Sequence, residues 1–140
     1  MTESLDVRIE RVLDATPEAA WAAWTDPAAR AVWYRDQPDI EVEVQSDLRV
    51  GGAWSVQFGP WREEGVYTEV APPNRLVSTV TFSGPDVGPF TTTLTVTFDA
   101  EGDKTRFTLV DAGFPNEEIR AAHEGGWPGF IDRFVALLAQ

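Results

Sequence analysis

Cysteine is absent, histidine and methionine occur once each, and no stretch approaches the roughly 18 consecutive apolar residues of a membrane span. The first absence excludes disulfide frameworks, Cys-ligated zinc, iron–sulfur clusters and thiol catalysis. With His123 the sole histidine, the donors for a transition-metal site are too few, and His123-Glu124 lacks the second histidine of a zincin helix. Gly-x-Ser-x-Gly, P-loop and Gly-x-Gly-x-x-Gly motifs are also missing, which removes the usual support for a serine hydrolase, a nucleotide hydrolase or a dinucleotide oxidoreductase. No metal and no cofactor are expected.

Positive charge is scarce. Eleven Lys and Arg face 23 Asp and Glu, a formal charge of −12, which disfavours nucleic-acid phosphates and anionic leaflets and suits neutral or cationic partners. Aromatic rings, by contrast, are plentiful: six Trp, eight Phe and two Tyr in 140 residues. Met1-Thr2-Glu3-Ser4 leads into charged alternation, not an apolar leader, so a cytoplasmic protein without membrane insertion is expected. One domain over residues 1–140 is expected, long enough to bury roughly 70% of its unfolded surface.

Leu5, Val7, Ile9, Arg11 and Leu13 share one parity and Asp6, Arg8 and Glu10 the other, the pattern of a half-buried strand. Thr16-Pro17-Glu18 reads as N-cap, first-turn proline and acidic first turn of a helix carrying Trp21 and Trp24, closed by Asp26-Pro27. A second helical turn, Ala28 to Val32, ends at Trp33-Tyr34, and Arg35 to Asp39 reads as loop. Six further strands follow: Ile40 to Gln45, Trp54 to Phe58, Gly65 to Val70, Leu76 to Phe82, Thr91 to Phe98 and Thr105 to Val110.

Gly51-Gly52, Gly59-Pro60 and Pro72-Pro73-Asn74 separate these strands, and Gly84-Pro85 and Gly88-Pro89 bracket a breaker-rich loop. Asp99 to Asp103 lacks calcium-loop spacing and reads as a hairpin turn. Asn116 caps a long helix with Glu117 and Glu118 in its first turn, and its stripe runs through Ile119, Ala122, Gly126, Trp127, Phe130, Ile131 and Phe134. Pro128, after two glycines, predicts a kink or restart near Gly125 to Pro128. The order implies an α+β fold, with a curved antiparallel sheet wrapped around the long C-terminal helix. The pattern leaves open whether the interior is filled or holds a cavity.

Ala23-Trp24-Thr25-Asp26-Pro27, Trp33, Asp47-Leu48-Arg49-Val50-Gly51-Gly52, Gly65 through Pro72 and Gly126-Trp127 together resemble the START-like (SRPBCC) superfamily, in its branch of heat-shock-protein ATPase activator homologues. The resemblance covers nearly the whole chain and implies a helix-grip fold with a largely apolar cavity between sheet and helix. Superfamily members bind lipids, steroids and polyketides, cyclise aromatics, or confer enediyne resistance by self-sacrifice. The resemblance does not include the activator's separate chaperone-binding domain, so a chaperone partner is not expected.

Arg11, placed by parity among apolar side chains, requires an anionic partner, and Glu69, sharing parity with Gly65 and Tyr67, is the candidate. The pair reads as a polar anchor inside a cavity or as a buried structural ion pair, unless a bulge turns Arg11 outward. His123 sits on the apolar stripe facing the sheet, as an acid/base, a ligand anchor or a structural histidine. Trp54, Tyr67, Phe82 and Trp127 are candidate walls, and Trp33, Tyr34 and Trp61, on connections, candidate rim residues. The expected role is binding of a small apolar molecule, with self-association as a homodimer left open. The alternatives are a cyclase, aromatase or hydrolase on a polyketide-like substrate, using His123 and Glu69, and a chaperone-activator interaction module.

Overall fold

Alternation at the start of the chain produces β1 (Asp6–Leu13), with Val7, Ile9 and Leu13 buried and Arg8, Glu10 and Val12 exposed. This computed structural model describes residues 5–139; Met1-Thr2-Glu3-Ser4, on which the expectation of no apolar leader rests, lies outside the described residues. Two capped helices follow. Thr16 Oγ1 accepts from the Ala19 amide at 3.2 Å to start α1 (Pro17–Thr25), and Asp26 Oδ2 accepts from the Ala29 amide at 3.0 Å to start α2 (Pro27–Trp33). Both open on proline, whose missing N–H has no intrahelical partner to lose there.

Strands β2 (Val42–Ser46), β3 (Ala53–Phe58), β4 (Trp61–Ala71), β5 (Arg75–Gly84), β6 (Val87–Glu101) and β7 (Lys104–Ala112) precede the helix α3 (Glu117–Leu138). All pairing is antiparallel in one seven-stranded sheet of order β1-β7-β6-β5-β4-β3-β2. This is the helix-grip arrangement, a curved sheet with the long C-terminal helix and two short helices inserted after the first strand. Among the described residues no helix is long and apolar enough to cross a membrane.

Three expectations from the sequence need correction. The Gly84–Pro89 stretch is a tight hairpin, not a loop: Gly84 pairs with Val87, and Pro85-Asp86 make the turn with Asp86 at φ +62°. Helix α3 runs unbroken through Pro128, with no restart. One lost backbone bond is outweighed there by burial of Trp127, Ile131 and Phe134 against the sheet. Strand β4 starts at Trp61, four residues before Gly65, and its register shifts between Tyr67 and Glu69.

One end of the interior is filled solid. Trp24 is fully buried and packs on Trp33 (centroids 4.4 Å), Phe134 (5.2 Å) and Phe107 (5.5 Å). Large rings at this centre fix where α1, α2 and the C-terminal half of α3 sit on the sheet. The N-terminal half of α3 meets the sheet differently, because there the helix offers Ala122 and Gly126.

Candidate functional site

Beneath those small residues lies a cavity of about 350 Å³, open to solvent. Six aromatic rings form its walls: Tyr34 after α2, Phe58 on β3, Trp61 on β4, Phe82 on β5, and Trp127 and Phe130 on α3. Its polar lining is small, consisting of Asp36, Glu63 and His123 side chains. A mostly apolar wall with a few convergent polar groups is the general form of a small-molecule site.

Glu63 is the deepest of the three, on the inward face of β4 opposite Phe82. Its Oε1 accepts from the Tyr34 hydroxyl at 2.5 Å, while neither Glu63 nor Asp36 has an ion-pair partner within 4.0 Å among the described residues. Burial pushes the Glu63 carboxyl up to about 7, against the pull of the Tyr34 hydroxyl and with help from the buried Asp111. Burial likewise raises the Tyr34 hydroxyl, so it is the donor of this bond. Near neutrality the cavity therefore holds a carboxyl that gains or loses a proton easily.

His123 lies where Phe82, Phe90 and Phe114 meet, with centroids 5.0, 5.5 and 4.9 Å from its ring. Its Nδ1 is 3.1 Å from the Ile119 carbonyl. A carbonyl only accepts, so Nδ1 carries the proton and the neutral ring keeps a lone pair on Nε2. On the far side of Trp127, Asp111 accepts the indole N–H at 3.0 Å and fixes that wall. Burial raises the Asp111 carboxyl, although the Thr92 and Trp127 side chains pull the other way.

Phe82, His123 and Trp127 of the sequence candidates line the cavity, as do the connection residues Tyr34 and Trp61. Five candidates do not. Trp33 is wholly buried in the Trp24 stack, its indole N–H donating to the Ala23 carbonyl at 2.9 Å. Trp54 and Tyr67 belong to a separate buried cluster around Arg30. The Arg30 guanidinium lies 4.4 Å over the Trp54 ring and donates to Tyr67 Oη at 3.3 Å, and Ser46 Oγ stands 2.7 Å from the same oxygen.

The expected Arg11–Glu69 pair does not form. Arg11 lies on an edge strand, where its side chain is 38% exposed, donates to the Glu10 carbonyl and stands 3.9 Å from Asp132. Glu69 pairs with Arg75 at 3.1 Å on the outer face. The β4 bulge causes this: it sets Tyr67 opposite Ser78 but Glu69 opposite Val77, so the two residues no longer share a face. Sequence reasoning starts the strand at Gly65 and passes over Glu63, although Glu63 has the parity of Gly65 and Tyr67 and no bulge between. Arg30 gives no signal of its own, since a lone cation in Pro-Ala-Ala-Arg-Ala reads as a solvated helix residue.

A curved sheet gripping one long helix over an open aromatic cavity defines a helix-grip protein of the SRPBCC type. More narrowly, the chain belongs to the family described as activator of Hsp90 ATPase homolog 1-like protein, whose pattern matches residues 14–139. None of the curated proteins compared matches it. Among solved structures it is similar to protein CV1439 of Chromobacterium violaceum (28% identity over 96% of this chain and 97% of that one, TM-score 0.78). It is similar also to CalU16 of Micromonospora echinospora (26%, 95% and 74%, TM-score 0.72). DynU16, a protein of the dynemicin biosynthetic locus, shares the fold (22% identity, TM-score 0.80); the match covers 96% of this chain and 47% of DynU16.

Proposed function

We propose that this protein binds a small, mostly apolar molecule between β3–β5 and the N-terminal half of α3. The observation that carries the reading is a 350 Å³ open cavity with six aromatic walls and one nearly buried, protonatable carboxyl, in a molecule whose other end is filled solid. Burying a ligand's apolar surface there contributes about 25 cal/mol per Å². Glu63 and His123 orient its polar end, the first through the oxygen that Tyr34 leaves free and the second through Nε2.

Gly126 supplies the test. Gly126 lines the cavity and a Cβ at this position meets nothing within 4 Å, so a larger side chain adds bulk at the cavity wall without striking protein. Titration of naphthalene-sized alcohols, followed by emission of the wall residues Trp61 and Trp127, is expected to saturate in the wild type and to be lost in Gly126→Leu. Equal responses from the two proteins contradict the reading.

A second reading follows from the Glu63 carboxyl near 7, a value suited to moving a proton at neutral pH. In that reading Glu63, not Glu69, is the acid/base partner of His123, on a substrate of the same apolar class. Its signature is turnover that falls about a hundredfold or more in Glu63→Gln while binding is retained.

A further inference from the structure

We infer that the cavity selects a cationic ligand, an apolar ring system bearing an ammonium group that docks on the free oxygen of Glu63. The inference rests on the binding function proposed above and adds to it the charge of the ligand.

Three observations carry it. First, the charged side chains lining the cavity are all acidic: Asp36 and Glu63 are there and no Lys or Arg is. Second, Glu63 is only 8% exposed, yet its carboxyl has a single hydrogen bond, from Tyr34, and no ion pair within 4.0 Å among the described residues. A buried carboxylate in that state has an oxygen without a donor, and an ammonium hydrogen supplies both a bond and a charge there. Third, the Trp61, Trp127 and Phe130 rings line the same space, and aromatic rings attract cations that have left water.

The neighbouring guanidinium groups lie outside the cavity, although Arg30 Nε and Arg133 Nη2 are buried without a hydrogen-bond partner. Arg30 is held by Tyr67 and the face of Trp54, stands 5.6 Å from the Tyr34 ring centre and pulls the Glu63 carboxyl down without forming an ion pair with it. Arg133 lies 4.6 Å over the Phe130 ring, with its Nε donating to the Trp33 carbonyl at 3.0 Å. Neither lines the cavity. The formal charge of −12 draws cations to the molecule from solution.

Proton linkage gives the class a signature. Protonating Glu63 removes the partner of the ammonium, so affinity for an amine falls as pH drops below about 7, approaching about tenfold per pH unit. Around Glu63, Tyr34 donates to it, Asp111 raises it and Arg30 opposes the rise. His123 and Asp36 face the same cavity.

The experiment is calorimetric titration of the full chain with three probes of one ring system: 1-naphthylmethylamine, 1-naphthylmethanol and 1-naphthoate. At pH 8 the amine is expected to bind at least about tenfold tighter than the alcohol, the ordinary gain of a charge-assisted over a neutral hydrogen bond. That preference is expected to shrink to within about twofold in Glu63→Gln, whose amide still accepts from Tyr34. In the wild type it is expected to decline between pH 8 and 6, whether or not the variant folds, and to decline likewise in a His123→Gln background. Equal binding of amine and alcohol, or tightest binding of the naphthoate, overturns the cationic class and leaves the cavity reading standing. Absence of binding by all three, with Gly126→Leu indistinguishable from wild type, overturns both.

Discussion

At the scale of single residues, Glu63 is the most consequential. Its carboxyl ionises near 7 in the folded chain against an ordinary value of 4.5. Below 4.5 both folded and unfolded chains hold the proton. Between 4.5 and about 7 only the folded chain does, so stability declines as pH rises through this window and levels off above it. At about 1.4 kcal/mol per pH unit the decline amounts to about 3 kcal/mol. Urea unfolding of Glu63→Gln is therefore expected to match wild type near pH 4 and to exceed it by about 3 kcal/mol near pH 8. A constant difference across that range contradicts the assignment.

Trp127 gives a second residue-scale test. Trp127→Phe keeps a ring in the wall but takes the N–H from buried Asp111, an expected loss of about 1–3 kcal/mol in denaturant unfolding. The sequence supports part of this. Parity alone marks Glu63 as inward, and the 3.6-residue stripe places His123 and Trp127 on the sheet side of α3. The bulge that turns Glu69 outward leaves no trace in composition or alternation, because it is a property of how β4 pairs with β5.

At the scale of elements, glycine does two opposite jobs, and one substitution separates them. Gly126 lies in the interior of α3 with free space where a Cβ would go, so Gly126→Ala is expected to stabilise the protein by about 0.5–1 kcal/mol through helix propensity. Gly65 on β4 packs its Cα against the neighbouring strand, and a Cβ there falls 1.8 Å from the Thr79 carbonyl oxygen. Gly65→Ala is expected to cost about 1–3 kcal/mol by forcing β4 and β5 apart. Denaturant midpoints of the two variants should move in opposite directions.

Most elements are legible from pattern, since the caps at Thr16, Asp26 and Asn116 and the period-2 strands are local signals. The Pro85-Asp86 hairpin and the unbroken α3 differ from expectation because strand pairing and core burial override what proline and glycine suggest locally.

At the scale of the whole molecule, polar and apolar residues divide between outside and inside, but the interior is itself divided. Indole and phenyl rings close one end around Trp24, and two small helix residues leave the other end open. The sequence shows the rings facing inward. It does not show the gap, because cavity volume depends on the separation of α3 from the sheet, which the packing of the Trp24 stack sets. The excess of acid is outside for the most part, with Glu63 and Asp111 as the buried exceptions.

The central claim is that this open end holds a small apolar molecule. Its most direct test is native mass spectrometry of the protein and of Gly126→Leu, each isolated gently from the cell that makes it. The account predicts a non-covalent mass adduct on the wild type, released as an apolar compound on denaturation and missing from the variant. The same adduct on both proteins, or none on either after exposure to an extract of that cell, contradicts it.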